Sequence, residues 1–317
     1  MPYLRDVGIQ LDELCPRSSR YPPRSQWLRL PWLIAALSER LTFIARARGR
    51  DAVILQRELI STLPTIEGLL PGPRILDVDD AIFLRRRGRA ARHAARCSIG
   101  VVCGNGYLAE HFAAWCPRVA VIPTGIDTKA LQPSPARDPE LPPSIGWIGT
   151  AANLQYLHPI ANSLRRALAA VPGCELHIIC DSARDLPPEL RGHIRFTRWR
   201  PDIEVAELPR WNIGIMPLAD NSWTRGKCAF KLLQYLAAGI PVVASPVGMN
   251  GEVLAEAAVG YAANTNDDWT SALISLLTDP DGARTMGANG RRLVERRYSL
   301  TEIAKRWRDT AGSWLSS

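Results

Sequence analysis

The sequence predicts an α/β protein of two domains, each a parallel sheet with helices between its strands. Three observations carry that expectation. Strand-like and helix-like runs alternate from one end of the chain to the other, as parallel strands joined by helical crossovers require. A Pro-rich stretch, Leu131-Gln-Pro-Ser-Pro-Ala-Arg-Asp-Pro-Glu-Leu-Pro-Pro, interrupts the alternation, which then restarts. The 317 residues suit two domains of roughly 100–200 residues. The expected division is 1–129 and 130–299, with a terminal helix over 300–317.

In the first half, apolar runs bounded by Gly, Pro and Asp predict strands at Gly8–Leu14, Asp51–Gln56, Arg74–Asp79, Ser98–Cys103 and Arg118–Pro123. Helical spacing predicts helices over about 26–48, 83–96 and 106–115. Pro2–Gly8 reads as the last turn of a helix closed by glycine. In the second half the strands are Ser144–Gly149, Glu175–Cys180, Ile194–Thr197, Ile213–Pro217, Pro241–Ser245 and Gly260–Ala263. An amphipathic helix over about 229–238 is closed by Gly239, and Pro241 opens the next strand.

Hydrophobic residues make up 46% and charged residues 22%, the balance of a folded soluble chain. No apolar run approaches the ~20 residues of a membrane span. The start has no basic leader before an apolar run, so secretion is not indicated. Seven cysteines, odd in number and without a Cys-x-x-Cys pair, predict reduced thiols in a cytoplasmic setting.

The net charge of +8 is uneven: residues 1–130 hold 19 Lys and Arg against 12 Asp and Glu, and the remainder 20 against 19. Arg85, Arg86, Arg87, Arg89, Arg92 and Arg96 would cover one face of a short helix, and Trp27 and Trp32 stand among arginines and leucines. This half reads as a solvated basic face or as a surface for anionic lipid headgroups or a phosphate-bearing substrate. No nucleic-acid motif accompanies the charge, so no nucleic-acid partner is expected.

Gly104-Asn-Gly-Tyr-Leu-Ala matches a dinucleotide fingerprint in form, but an ordinary tight turn and helix N-cap call for the same residues. Asp77-Val-Asp-Asp80 ends a strand, and Asp79, Asp80 and, beyond another strand, Glu58 are candidates for binding an acceptor hydroxyl. Helix capping and metal ligation are the other readings of the cluster. The histidines lack ligand spacing, and neither a Walker loop nor a G-x-S-x-G elbow occurs.

The informative segment is Pro217–Glu252. A polar loop carrying Arg225, Gly226 and Lys227 leads into the helix over 229–238. A helix N-terminus beside a lysine is an anion site.

Here the chain resembles the retaining nucleotide-sugar glycosyltransferases of family 4, which have the GT-B fold. The resemblance rests on that segment, on Val121–Asp127, on Ile145–Thr150, and on Met286-Gly-Ala-Asn-Gly-Arg-Arg with Arg297-Tyr-Ser. It implies two Rossmann-like domains facing a cleft, the first for the acceptor and the second for the donor, with the terminal helix returning to the first. By the same resemblance the backbone at Phe230, Lys231 and Leu232, with Lys227 and Arg225, would hold the donor diphosphate. Gln234 would face the ribose, Gly149 and Thr150 the phosphates, and Trp199 the base.

Three departures accompany it. The family's paired glutamates, spaced E-x7-E, fall on Gly226 and Gln234. No cation follows the first strand of the second domain, where Thr150-Ala-Ala-Asn-Leu-Gln stands. The family's opening strand and glycine loop would precede Met1, which predicts a gap or exposed edge in the first sheet. The implied reaction is metal-independent sugar transfer to a hydroxyl acceptor in polysaccharide or glycolipid synthesis, with no cofactor besides the nucleotide-sugar co-substrate. An epimerase on the same fold and an inactive scaffold are the alternatives.

Overall fold

The computed structural model describes residues 2–19, 21–61, 63–134 and 142–316; residues 135–141 of the expected linker lie outside the described residues. The chain divides into two compact units. The first comprises Met1–Thr124, Arg225–Cys228 and Ile303–Ser317, and the second Gly125–Thr224 and Ala229–Glu302.

The elements begin with α1 (Pro2–Asp6), α2 (Arg29–Arg46), β1 (Val53–Gln56), β2 (Arg74–Val78), α3 (Arg89–Arg96), β3 (Gly100–Cys103), α4 (Gly106–Ala113) and β4 (Val119–Val121). They continue through β5 (Ser144–Ile148), α5 (Ala161–Ala170), β6 (Glu175–Cys180), β7 (Ile194–Arg198), α6 (Pro201–Glu207), β8 (Ile213–Met216), α7 (Ser222–Arg225) and α8 (Phe230–Ala237). The last are β9 (Val242–Ala244), α9 (Met249–Glu256), β10 (Gly260–Ala262), α10 (Asn266–Thr278), α11 (Pro280–Arg297) and α12 (Leu300–Leu315).

The sheet of the first unit is parallel and runs β1-β2-β3-β4. Right-handed crossovers stepping in one direction place their helices on one face. The residues Ile75, Val102 and Ile122 pack instead with Ile303, Trp307 and Trp314 of the C-terminal helix. A Cβ on Gly100 would lie 2.4 Å from the Trp314 ring, so glycine here lets the indole seat on β3.

Two expectations are corrected in this unit. Gly8–Leu14 is not a strand: α1 closes at Gly8 (φ 86) and residues 9–16 are neither helix nor strand. Glu13 interrupts its apolar alternation, Asp12 pairs with Arg50 at 2.5 Å, and among the described residues no strand pairs with the segment. Of the expected gap or exposed edge, the described residues show no gap, since each strand hydrogen-bonds its sequence neighbour, and they do leave β1 as an edge.

The second correction concerns the helix over 83–96, which breaks before Arg89. Arg86 (φ 43), Arg87 (φ 58) and Gly88 (φ 68) are left-handed, and Gly88 precedes α3 as its N-cap. A Cβ there would lie 2.9 Å from Trp115 and 3.0 Å from the Phe83 carbonyl oxygen, so the turn closes only on glycine. Arg85 donates to Ser61 Oγ at 3.1 Å and covers the Tyr21 ring at 5.2 Å. Only Arg89, Arg92 and Arg96 therefore share a helical face.

The second unit holds a parallel sheet in the order β10-β9-β8-β5-β6-β7. The order reverses between β8 and β5, and in open α/β sheets ligands bind beyond the carboxyl ends of strands at such a switch point. Ile145, Leu176, Ile178, Ile213, Ile215 and Val243 form the strand side of its core. His177 is buried with Nδ1 accepting from Trp211 Nε1 (2.8 Å) and Arg195 (2.7 Å), which leaves Nε2–H to donate to Thr197 (2.9 Å). Arg291 of α11 donates to the carbonyls of Thr128, Leu131 and Ala237 at 2.7–2.8 Å, tying the entry segment of this unit to the end of α8.

Candidate functional site

Two polar clusters, one in each unit, hold most of the residues singled out in the sequence, while Glu58, Gly149, Thr150 and Leu232 stand outside them. In the first unit β2 ends at Val78 and delivers Asp79 and Asp80 to the carboxyl end of the sheet. Arg57, just beyond β1, meets both: Nε donates to Asp79 Oδ1 at 2.7 Å and Nη2 to Asp80 Oδ2 at 2.6 Å. Burial pushes the Asp80 carboxyl above its ordinary range, with Arg57 and Lys227 opposing and Asp79 reinforcing the shift. Asp77 sits deeper, and burial, followed by repulsion from Asp79, carries it up to about 7. Glu58 is only 2% exposed.

The loop Arg225–Cys228 belongs to this unit. Asn105 Nδ2 donates to the carbonyls of Arg225 (3.2 Å) and Lys227 (3.1 Å), and its Oδ1 caps α4 by accepting from Leu108 N–H at 2.9 Å. Cys228 Sγ donates to the Asp79 carbonyl at 3.2 Å. A Cβ on Gly226 would approach Ala81 Cβ to 2.7 Å, and one on Gly104 would meet Cys228 Sγ. The family's first glutamate has no room at position 226. The loop thus brings Lys227 within electrostatic reach of Asp80.

In the second unit β5 ends in Gly149 and Thr150, and α8 is anchored to that strand by Tyr235, whose buried hydroxyl accepts from Ile148 N–H at 3.1 Å. A Cβ on Gly149 would lie 2.6 Å from the Trp147 ring, so the chain crosses that indole closely. Thr150 Oγ1 accepts from Asn153 Nδ2 at 3.0 Å, and Ala151 N–H donates to Asp181 at 2.7 Å, a bond that holds the Asp181 carboxyl below its usual range. The helix α8 starts from Ala229 in the left-handed region (φ 50), without a side-chain cap. Its first N–H groups have no intrahelical acceptor, and Leu232 is buried, so that position offers only its backbone.

The other predicted donor residues converge on one carboxylate. Glu204 of α6 accepts from Trp199 Nε1 at 2.8 Å and from Gln234 Nε2, and pairs with Lys231 Nζ at 3.6 Å. Lys231 Nζ also donates to Gln234 Oε1 (3.0 Å) and lies 5.1 Å from the centre of the half-open Phe230 ring. Burial lowers the Lys231 ammonium pKa, and Glu204 counteracts it.

Sequence reasoning missed Arg57, Glu204 and Asp181. Each stands within two residues of a strand's carboxyl end or on the first turn of the helix after it, and that position was the available signal. Among the described residues no three His, Cys, Asp or Glu side chains gather as a metal-ligand group.

Residues 142–279, under half of the chain, match the family model described as Glycosyl transferases group 1. None of the curated proteins matches the sequence. The fold is similar to solved structures across most of its length. Sucrose-phosphate synthase from Thermosynechococcus elongatus superposes with a TM-score of 0.69 at 16% identity, over 93% of this chain and 81% of that one. Anabaena Alr3699/HepE in complex with UDP-glucose gives 0.69 at 15% identity, over 92% and 84%. WaaG, a glycosyltransferase involved in lipopolysaccharide biosynthesis, gives 0.64 at 13% identity, over 95% and 89%. The fold is of the GT-B class, with two units that each hold a parallel sheet.

Proposed function

We propose that the chain is a glycosyltransferase that moves a sugar from a nucleotide-diphosphate sugar to a hydroxyl acceptor with retention of configuration. The observation that carries this reading is the gathering of Trp199, Lys231 and Gln234 around Glu204, with Phe230 beside Lys231, at the uncapped start of α8, within the segment that matches the family model. The first turn of α8 receives the diphosphate, and Gly149 and Thr150 lie at the phosphate end of the donor. Lys227 and Arg225, which shortly precede this turn in sequence, supply the cations. As the glycosidic bond breaks, negative charge collects on the leaving diphosphate, and fixed N–H groups with lysine charge stabilise it most in the transition state.

On the acceptor side we assign Asp79 and Asp80, with Arg57 holding both carboxylates in place. That pairing supports transfer without a metal, because a guanidinium already meets their charge. We place the reaction in polysaccharide or glycolipid synthesis at the cytoplasmic face of a membrane, with the first unit peripheral to it. The basic surplus of residues 1–130 supports this placement, and no helix among the described residues is long and apolar enough to cross a membrane.

The test is a product assay over a panel of nucleotide sugars with hydroxyl acceptors. Release of nucleoside diphosphate with a retained glycosidic product is expected; an epimerised donor, or no product despite donor binding, overturns the reading. A thermal-shift screen selects the donor, since a nucleotide at 100 times its Kd stabilises the fold by about 2.7 kcal/mol.

A further inference from the structure

The helix α2 has two apolar sides and uses only one. Ala36, Arg40 and Phe43, with Ala47 just beyond, are buried against the first unit. Arg40 donates there through Nε to the Leu59 carbonyl and through Nη1 to the Ala36 carbonyl and Ser18 Oγ, at 2.7–3.0 Å. About 130° around the helix, a second stripe faces outward: Leu30 is 66% exposed, Ile34 59% and Leu41 49%, with Leu37 half-buried between the last two, and Trp27, on the short 3-10 turn Gln26–Leu28 that leads into α2, is 92% exposed. The spacing of three and four residues keeps them in line. Side chains of this size seldom stand in a row in water without a partner.

The charges around the stripe select the partner. Arg24, Arg29, Arg46 and Arg48 are exposed, and among the described residues none of them pairs with a carboxylate. The single acid of α2, Glu39, is bound to the backbone N–H of Arg17 and Ser18 and to Ser18 Oγ. Packing two copies of this face together would bring like charges together. An anionic bilayer meets both features, since arginines lie at the headgroups while tryptophan and aliphatic side chains enter the acyl boundary.

We propose that this face of α2 docks on anionic lipid bilayers and that it, rather than the arginine run at 85–96, attaches the first unit to the membrane. The inference rests on the peripheral-membrane placement proposed above and names the element that achieves it. The arginine run is divided by the left-handed turn at Arg86–Gly88 and presents no comparable apolar stripe.

The test sediments the full chain with vesicles of phosphatidylcholine and with vesicles of an equimolar phosphatidylcholine and phosphatidylglycerol mixture. Wild type is expected to bind the anionic vesicles. A Trp27→Ser/Leu30→Ser/Ile34→Ser variant, altered only where side chains are exposed, is expected to partition about tenfold less or weaker. Arg86→Gln/Arg87→Gln/Arg89→Gln is expected to bind nearly as wild type. Loss of binding in the arginine variant alone overturns the docking face while leaving the membrane placement standing. No wild-type binding to anionic vesicles overturns both. A wild-type dimer that the serine variant makes monomeric, with vesicle binding unchanged, assigns the face to a second copy and overturns the proposal.

Discussion

Asn105 and Lys227, distant in sequence, are joined by a hydrogen bond from the Asn105 Nδ2 to the Lys227 carbonyl at 3.1 Å. The same side chain holds the Arg225 carbonyl and caps α4. One residue thus sets a helix start and the loop carrying both proposed cations. Asn105→Ala should lower stability by about 1–3 kcal/mol, the scale of a lost cap with two carbonyls left unpaired. It should also raise the donor KM, as read from denaturation and initial-rate measurements. Asn105→Asp keeps the cap but not the donors, so it should restore much of the stability and little of the KM.

Gly226→Ala places a methyl 2.7 Å from Ala81 Cβ and 3.0 Å from the Ala81 nitrogen. Overpacking of this kind costs about 1–3 kcal/mol. The melting temperature should fall, and with Gly226→Glu, which introduces the glutamate of the glycosyltransferases that the sequence resembles, it should fall further, with no gain of activity.

Glu204→Gln leaves an acceptor for Trp199 but removes the negative charge beside Lys231. The Lys231 ammonium, already lowered by burial, then loses the carboxylate that counteracts it. The alkaline limb of the pH–rate profile should move to lower pH and the donor KM should rise by roughly three- to tenfold, with circular dichroism unchanged. A profile identical to wild type would make this cluster structural.

The two units should respond to pH in opposite directions. Buried neutral His177, lowered to about 3 by burial first and then by Arg195 and Arg210, takes no proton while its unfolded form protonates below about 6.5. The second unit should therefore lose stability as pH falls from about 6.5 towards 3. Asp77, raised to about 7, keeps in the folded state a proton that the unfolded chain releases near pH 4. The stability of the first unit should therefore fall as pH rises from about 4 to 7. Hydrogen exchange resolved by unit reads both slopes, and Asp77→Asn should flatten the second.

The parallel strands of the second unit were legible because their apolar runs are bounded by Gly and Pro, as at Pro241 and Gly239. The cap at Asn105 was legible from its residue type at a strand-to-helix turn. Gly8–Leu14 misled because Ile9-Gln-Leu-Asp12 alternates as a strand does, but strand pairing is tertiary and among the described residues no strand pairs with it. The break at Arg86–Gly88 was hidden because arginines at helical spacing read as a helix face, while the Trp115 ring that leaves no room for a side chain at Gly88 is a tertiary neighbour. Glu204 could not be read as the partner of Gln234 and Lys231, because only the fold brings residues thirty positions apart together.

Calorimetric titration of the full chain with a panel of nucleoside diphosphates tests the donor assignment most directly. One-site binding of at least one of them is expected, weakened by about 1.5–3 kcal/mol in Lys227→Ala, the strength of a charge-assisted hydrogen bond. A folded wild-type chain that binds no nucleoside diphosphate would rule out a donor site at the start of α8.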